Sequence, residues 1–186
     1  MHAALFCNLE SLVTPRLETL CEALAKALVA HKLRMATAES CTGGLIAASC
    51  TQLPGSSVWF ERGFVTYSNA AKSESLGVPS SLIEANGAVS EEVAKAMAVG
   101  ALNHSHAHLS VAVTGIAGPT GGSAAKPVGT VWLAWAWRDS QQAVHCEAMH
   151  RQFKGSRSEV RYVTADLALA HLTELVKMKQ KITTGG

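Results

Sequence analysis

The chain has 186 residues, 16 Lys and Arg against 14 Asp and Glu, 48% hydrophobic residues and five cysteines. That length suits one domain, and the ordinary apolar fraction excludes intrinsic disorder. A net charge of +2 points to neither nucleic acid nor a membrane surface as partner, and an odd number of cysteines with no CxxC excludes a secreted disulfide framework and a zinc ribbon.

Residues 1–14 read as an irregular, flexible lead. Their apolar patch, Ala3 to Cys7, lacks the basic flank of a signal peptide. No apolar run approaches the roughly 20 residues that span a bilayer, so a soluble protein in a reducing compartment, the cytoplasm, is expected. Leu17, Leu20, Cys21, Leu24 and Leu28 recur at helical spacing, which predicts a helix over 16–32. A strand, Arg34 to Ala38, then runs into Glu39-Ser40-Cys41-Thr42-Gly43-Gly44 and a helix from Leu45 to Thr51. After a turn at 54–57, the aromatic and β-branched residues of Val58 to Tyr67 predict a strand. Asn69 to Leu76 predicts a short helix closed by Gly77 and Pro79. Ser90 followed by Glu91 and Glu92 marks a capped helix running to about His104. Leu109 to Thr114 reads as a buried strand. Gly115 to Gly129, with five glycines and two prolines, reads as a loop. Two strands follow at 130–137 and 143–153, then a helix over 158–179 and a polar tail at 181–186. Strands alternating with helices, with a late hairpin, predict an α/β layer architecture with a mixed sheet.

Three segments carry candidate chemistry. Ser40 stands where a strand turns into a helix, so unpaired N–H groups of residues 42–44 could stabilise an oxyanion, with Gly43 and Gly44 allowing close approach. The alternative is that Ser40 or Thr42 is a plain N-cap. A serine nucleophile needs a base, and Lys72 lies just past a strand end with Tyr67. A desolvated lysine there would have a lowered pKa; the alternative is a solvated surface lysine. The loop Thr114-Gly115-Ile116-Ala117-Gly118 can expose N–H groups to an anion but is neither a Walker A loop nor GxGxxG. Arg157 and Arg161 share a face at the start of the last helix, against the dipole. They fit either a bound phosphate or pairing with Glu159 or Asp166.

Other patterns read as incidental. Ser123-Ala124-Ala125-Lys126 matches SxxK but lies in a Gly/Pro-rich loop with no SDN or KTG after it. His104, His106 and His108 alternate like metal ligands but close a helix, where histidine suits the dipole. Cys41 is an alternative nucleophile beside Ser40. The tryptophans read as core or dimer surface.

Several separated motifs carry a resemblance over about residues 17–178. These are Thr37-Ala38-Glu39-Ser40-Cys41-Thr42-Gly43-Gly44, Gly55 to Lys72, Gly87-Ala88-Val89-Ser90, Thr114 to Pro119, Lys126 to Val131, and Phe153-Lys154-Gly155-Ser156-Arg157 on to Arg161. The chain resembles the CinA C-terminal domain family, and more closely its stand-alone nicotinamide mononucleotide amidases. The resemblance implies a three-layer α/β/α domain over 15–180. It implies hydrolysis of the carboxamide of nicotinamide mononucleotide (NMN) to the acid and ammonia, in pyridine nucleotide salvage, without metal or organic cofactor. Ser40 would be the nucleophile, Lys72 its base and Tyr67 the partner of that base. Cys41 to Gly44, Thr114 to Gly118, Arg157 and Arg161 would hold the substrate. A homo-oligomer, with a dimer favoured, is expected. Where the family often has Gly-Asp-Arg, this chain has Gly155-Ser156-Arg157. A reading of a different class is a non-catalytic nucleotide-binding or regulatory module.

Overall fold

The computed structural model describes residues 7–183, with side chains described from 16 to 178. Five strands form one mixed sheet: β1 (Met35–Glu39), β2 (Phe60–Val65), β3 (Leu109–Gly115), β4 (Thr130–Arg138) and β5 (Val144–Gln152), in the order β2-β1-β3-β4-β5. β1 lies parallel to β2 and β3, while β3, β4 and β5 run antiparallel in turn. Six helices cover it: α1 (Cys7–Ala30), α2 (Leu45–Thr51), α3 (Asn69–Leu76), α4 (Ser80–Asn86), α5 (Glu91–Asn103) and α6 (Arg157–Thr183).

Alternation along the strands gives the sheet two unlike faces. One carries Met35, Leu109, Val111, Val113, Leu133 and Trp135, packed with buried residues of α1, α2 and α6. The other carries Ala36, Ala38, Ala112, Ala134 and Ala136, packed with Val93, Ala94, Met97 and Ala98 of α5. The small face lets α5 come close, and the Ser110 hydroxyl of β3 donates to the Ala98 carbonyl at 2.7 Å. Gly100 continues that close fit, since a Cβ there would drive into the backbone carbonyl of Leu76. Gly100→Ala is therefore expected to lose about 2 kcal/mol despite the better helix propensity of alanine. Urea unfolding checks this, and an unchanged or raised midpoint would contradict it.

The chain leaves β1 through α2 to β2 on one side, then returns through α3, α4 and α5 to β3 on the other. β1 is thus the point where the winding reverses, and crevices open beyond the carboxyl ends of strands at such points.

Two expectations need correcting and one element is new. Residues 7–14, read as an irregular lead, lie within α1; residues 1–6 of that lead fall outside the described residues. The supposed tail from 181 is helical to Thr183, and its last residues, 184–186, also fall outside them. α4 had no periodic signature, because only Leu82 and Ile83 of its seven residues are large and apolar. Pro79 at its start, Gly87 at its end and burial of Ile83 account for it. No helix among the described residues is long and apolar enough to cross a membrane.

Candidate active site

At the carboxyl end of β1, the Ser40 N–H still donates to the Val113 carbonyl of β3, at 3.0 Å. The chain then turns through Gly43 and Gly44, at φ +59° and +92°, into α2. Two successive left-handed residues are cheap only for glycine. Glu39, the last residue of β1, is fully buried and reaches over this turn. Its carboxylate accepts from the N–H of Ile46 (3.0 Å), the N–H of Ala47 (2.8 Å) and the hydroxyl of Thr42 (2.7 Å). The first donors of α2 are thus used internally. The Gly43 N–H donates back to the Ser40 carbonyl at 3.0 Å, which removes it from the expected set at residues 42–44. The N–H groups of Thr42 and Gly44 make no backbone hydrogen bond among the described residues.

Ser68 caps α3 by accepting from the Ala71 N–H at 3.0 Å. Lys72 follows in the first turn and is 1% exposed. Its Nζ donates to Ser40 Oγ at 3.2 Å and to the Thr66 carbonyl at 2.9 Å, with the carbonyls of Tyr67 and Ser68 at 3.5 Å. Burial holds the amine below the ordinary lysine range, partly offset by Cys41. A solvated surface lysine is excluded by this placement. Tyr67 is 60% exposed, and its hydroxyl accepts from Arg157 Nη2 at 3.0 Å. Lys72 therefore meets the carbonyl of Tyr67, while the phenol meets Arg157.

These side chains border one cavity of about 230 Å³. Of the residues singled out in the sequence, Ser40, Cys41, Tyr67, Lys72, Thr114, Gly115, Ala117 and Arg157 line it. Thr42, Gly43, Gly44, Ile116, Gly118 and Arg161 are not among its walls. Sequence reasoning did not single out Asn69, Ala88 and Val89, which also line it. All three stand in motifs that carry the resemblance, but nothing in their chemistry marked them as site residues. The Thr114 hydroxyl holds the Ala88 carbonyl at 2.8 Å, and Lys126 Nζ holds the carbonyls of Asn86 and Val89 at 3.0 and 2.7 Å.

The two arginines part company. Arg157 donates to the Gly118 carbonyl at 2.9 Å as well as to Tyr67, and faces the cavity. Arg161, one turn on, donates through Nε and Nη2 to the Thr42 carbonyl at 3.2 and 2.7 Å. Neither pairs with the carboxylates suggested by sequence. Glu159 accepts from the N–H and hydroxyl of Ser156, both at 2.7 Å, a capping box that starts α6. Asp166 takes Arg16 at 2.9 Å.

The incidental patterns resolve in the same way. Burial pushes the Cys41 thiol up to about 12, so at neutral pH it keeps its proton and is a poor nucleophile. Lys126 N–H donates to Ser123 Oγ at 3.1 Å while its ammonium faces away. His104 Nδ1 contacts the Gly100 carbonyl and His108 Nδ1 accepts from the Arg34 N–H. Among the described residues no group of three His, Cys, Asp or Glu could hold a metal ion.

A family model described as "CinA C-terminal domain" matches residues 17–176. A CinA-like protein of Akkermansia muciniphila is 50% identical over 164 residues, covering 86% of this chain and 38% of its own length; the chain thus spans well under half of that relative. A Pseudomonas putida protein named nicotinamide-nucleotide amidohydrolase PncC is 52% identical over 157 residues, covering 84% of this chain and 95% of its own. Among solved structures, competence/damage inducible protein CihA from Agrobacterium tumefaciens superposes with a TM-score of 0.79 at 45% identity, over 86% of this chain and 95% of that one. A CinA superfamily protein from Klebsiella pneumoniae gives 0.81 at 34% identity, over 87% and 98%.

Proposed function

Because the chain belongs to the CinA C-terminal domain family, we propose that it is a nicotinamide-nucleotide amidohydrolase, converting NMN to the corresponding acid and ammonia. The observation that carries the reading is the 3.2 Å contact between Ser40 Oγ and the buried amine of Lys72, on the wall of a cavity that also holds Arg157. Likeness to relatives named for that activity supports it.

In this mechanism neutral Lys72 takes the Ser40 proton as Oγ attacks the carboxamide carbon. The oxyanion is met by N–H groups of the turn: those of Cys41, Thr42 and Gly44 have no backbone partner among the described residues, and Cys41 lines the cavity. The Lys72 ammonium returns the proton to the departing nitrogen and ammonia leaves. Water, deprotonated by the same amine, then cleaves the acyl-enzyme and frees Ser40. Tyr67 belongs to the constellation through Arg157, which its hydroxyl helps to aim, and through its carbonyl beside Lys72. Arg157 is the cation for the substrate phosphate.

Incubating the purified protein with NMN and following ammonia and the deamidated nucleotide tests the reading; no product would overturn it. Arg157→Ala is expected to raise KM for NMN about 10- to 100-fold, the loss of a charge-assisted hydrogen bond. The same change should act far less on nicotinamide riboside, which lacks the phosphate. Equal effects on both substrates would remove the phosphate role.

A further inference from the structure

The turn that presents Ser40 has a weakness built into it. Gly43 and Gly44, at φ +59° and +92°, have no side chains to restrict them, so the Thr42–Gly43 peptide can rotate unless something outside the turn holds it. Two charged side chains do so from opposite polarity. Glu39 takes the donors: the Thr42 hydroxyl and the N–H groups of Ile46 and Ala47. Arg161 takes the acceptor, placing two N–H groups on the Thr42 carbonyl. On the other edge of the same peptide, the Gly43 N–H is bonded to the Ser40 carbonyl. The Leu45 N–H also donates to the Thr42 carbonyl, at 3.3 Å, so rotating that one peptide breaks four hydrogen bonds. Two of them are charge-assisted, the stronger kind. A Cβ on Gly43 would lie 3.7 Å from Arg161 Nη2, so the guanidinium rests directly against the turn.

We propose that Glu39 and Arg161 are positioning residues that clamp the Ser40–Gly44 turn, one through its donors and the other through its acceptor, and so keep Ser40 Oγ in reach of Lys72. The inference rests on the reading of Ser40 as nucleophile given above. It reassigns Arg161 from holding substrate phosphate to holding protein backbone. The Thr42 carbonyl takes both its bonding N–H groups and Arg161 is not in the cavity wall. Glu39 is equally committed, because its three partners fill a fully buried carboxylate.

The test compares wild type with Arg161→Met, Arg161→Lys and Glu39→Gln. Two readouts are used: steady-state hydrolysis of NMN, and the rate at which phenylmethylsulfonyl fluoride labels Ser40, located by mass spectrometry. The reagent has no phosphate, so its rate reports the nucleophile and not substrate binding. For Arg161→Met, kcat and the labelling rate should both fall about 10- to 100-fold, the scale of a roughly 1 Å misplacement, with KM for NMN within about twofold. Arg161→Lys should recover part of both rates, because one ammonium N–H can still reach the carbonyl. Glu39→Gln should also label more slowly, since the amide end turns donors toward a donor.

A raised KM with unchanged kcat and labelling in Arg161→Met would return Arg161 to the phosphate and overturn the clamp. Unchanged labelling in Glu39→Gln would overturn the carboxylate half. If Glu39→Gln fails to fold, the Arg161 variants decide. Wild type that labels at Ser40 but releases no ammonia from NMN would refute the substrate assignment alone, with the clamp still judged by labelling rates. Wild type that does not label at Ser40 would overturn the clamp.

Discussion

Ser40→Ala is expected to lower kcat/KM for NMN at least about 10⁴-fold, the scale seen when a covalent nucleophile is removed. The backbone of residue 40 is held by the Val113 carbonyl and by the Gly43 N–H, neither of which needs the hydroxyl. The fold and the cavity should therefore survive, and NMN should still raise the melting temperature of the variant. The serine is 8% exposed, so the lost oxygen leaves little room for a compensating water. Ammonia release by a coupled assay, alongside a melting curve, separates loss of chemistry from loss of structure. Near-normal turnover would move the nucleophile to activated water, since the Cys41 thiol beside it is held protonated.

Lys72→Met should cost about 10³-fold in kcat, within the range for general-base loss. Methionine is close in volume and apolar, so it suits a site that already penalises charge. The Thr66 carbonyl loses its 2.9 Å donor, which is the main structural cost. Lys72→Arg should fail as well, because a guanidinium does not give up its proton in a protein. The pH profile carries the sharper statement. Catalysis needs the neutral amine, so the rate should rise as pH increases and the ammonium is lost. Burial lowers that pKa, which moves the rise below the ordinary lysine range of about 10.4. A wild-type rate that falls as pH is raised toward the ordinary lysine range, or a Lys72→Met variant with wild-type kcat, would refute the assignment.

Ser40 and Lys72 were both legible as residue types in telling places: one at a strand-to-helix turn, the other just past a strand end. Sequence position could not say that 32 residues apart they sit at 3.2 Å. That follows from the parallel pairing of β1 with β2, Glu39 opposite Val65, which brings the two strand ends side by side. Glu39 was visible only as part of a motif. A carboxylate just before a nucleophile offers no periodicity and no neighbour to mark it, and its three donors come from residues three to eight positions later. The capping box of Ser156 and Glu159 is written in the sequence as Ser-x-x-Glu and settles where α6 begins.

By itself, then, the amino-acid order determined the alternation of strands and helices, the late hairpin, the bounds of α2 and α3, and which short segments bear reactive side chains. Those are local matters, set by side-chain period, caps and glycine. Tertiary structure alone decided that Arg157 faces the cavity while Arg161 grips the turn. The two are one helical turn apart, about 6 Å along the axis, and only the place of α6 against α2 tells which of them reaches the Thr42 carbonyl. It also decided that the first N–H groups of α2 meet a carboxylate of the chain itself, because buried donors must find partners and Glu39 was the group the sheet delivered to them.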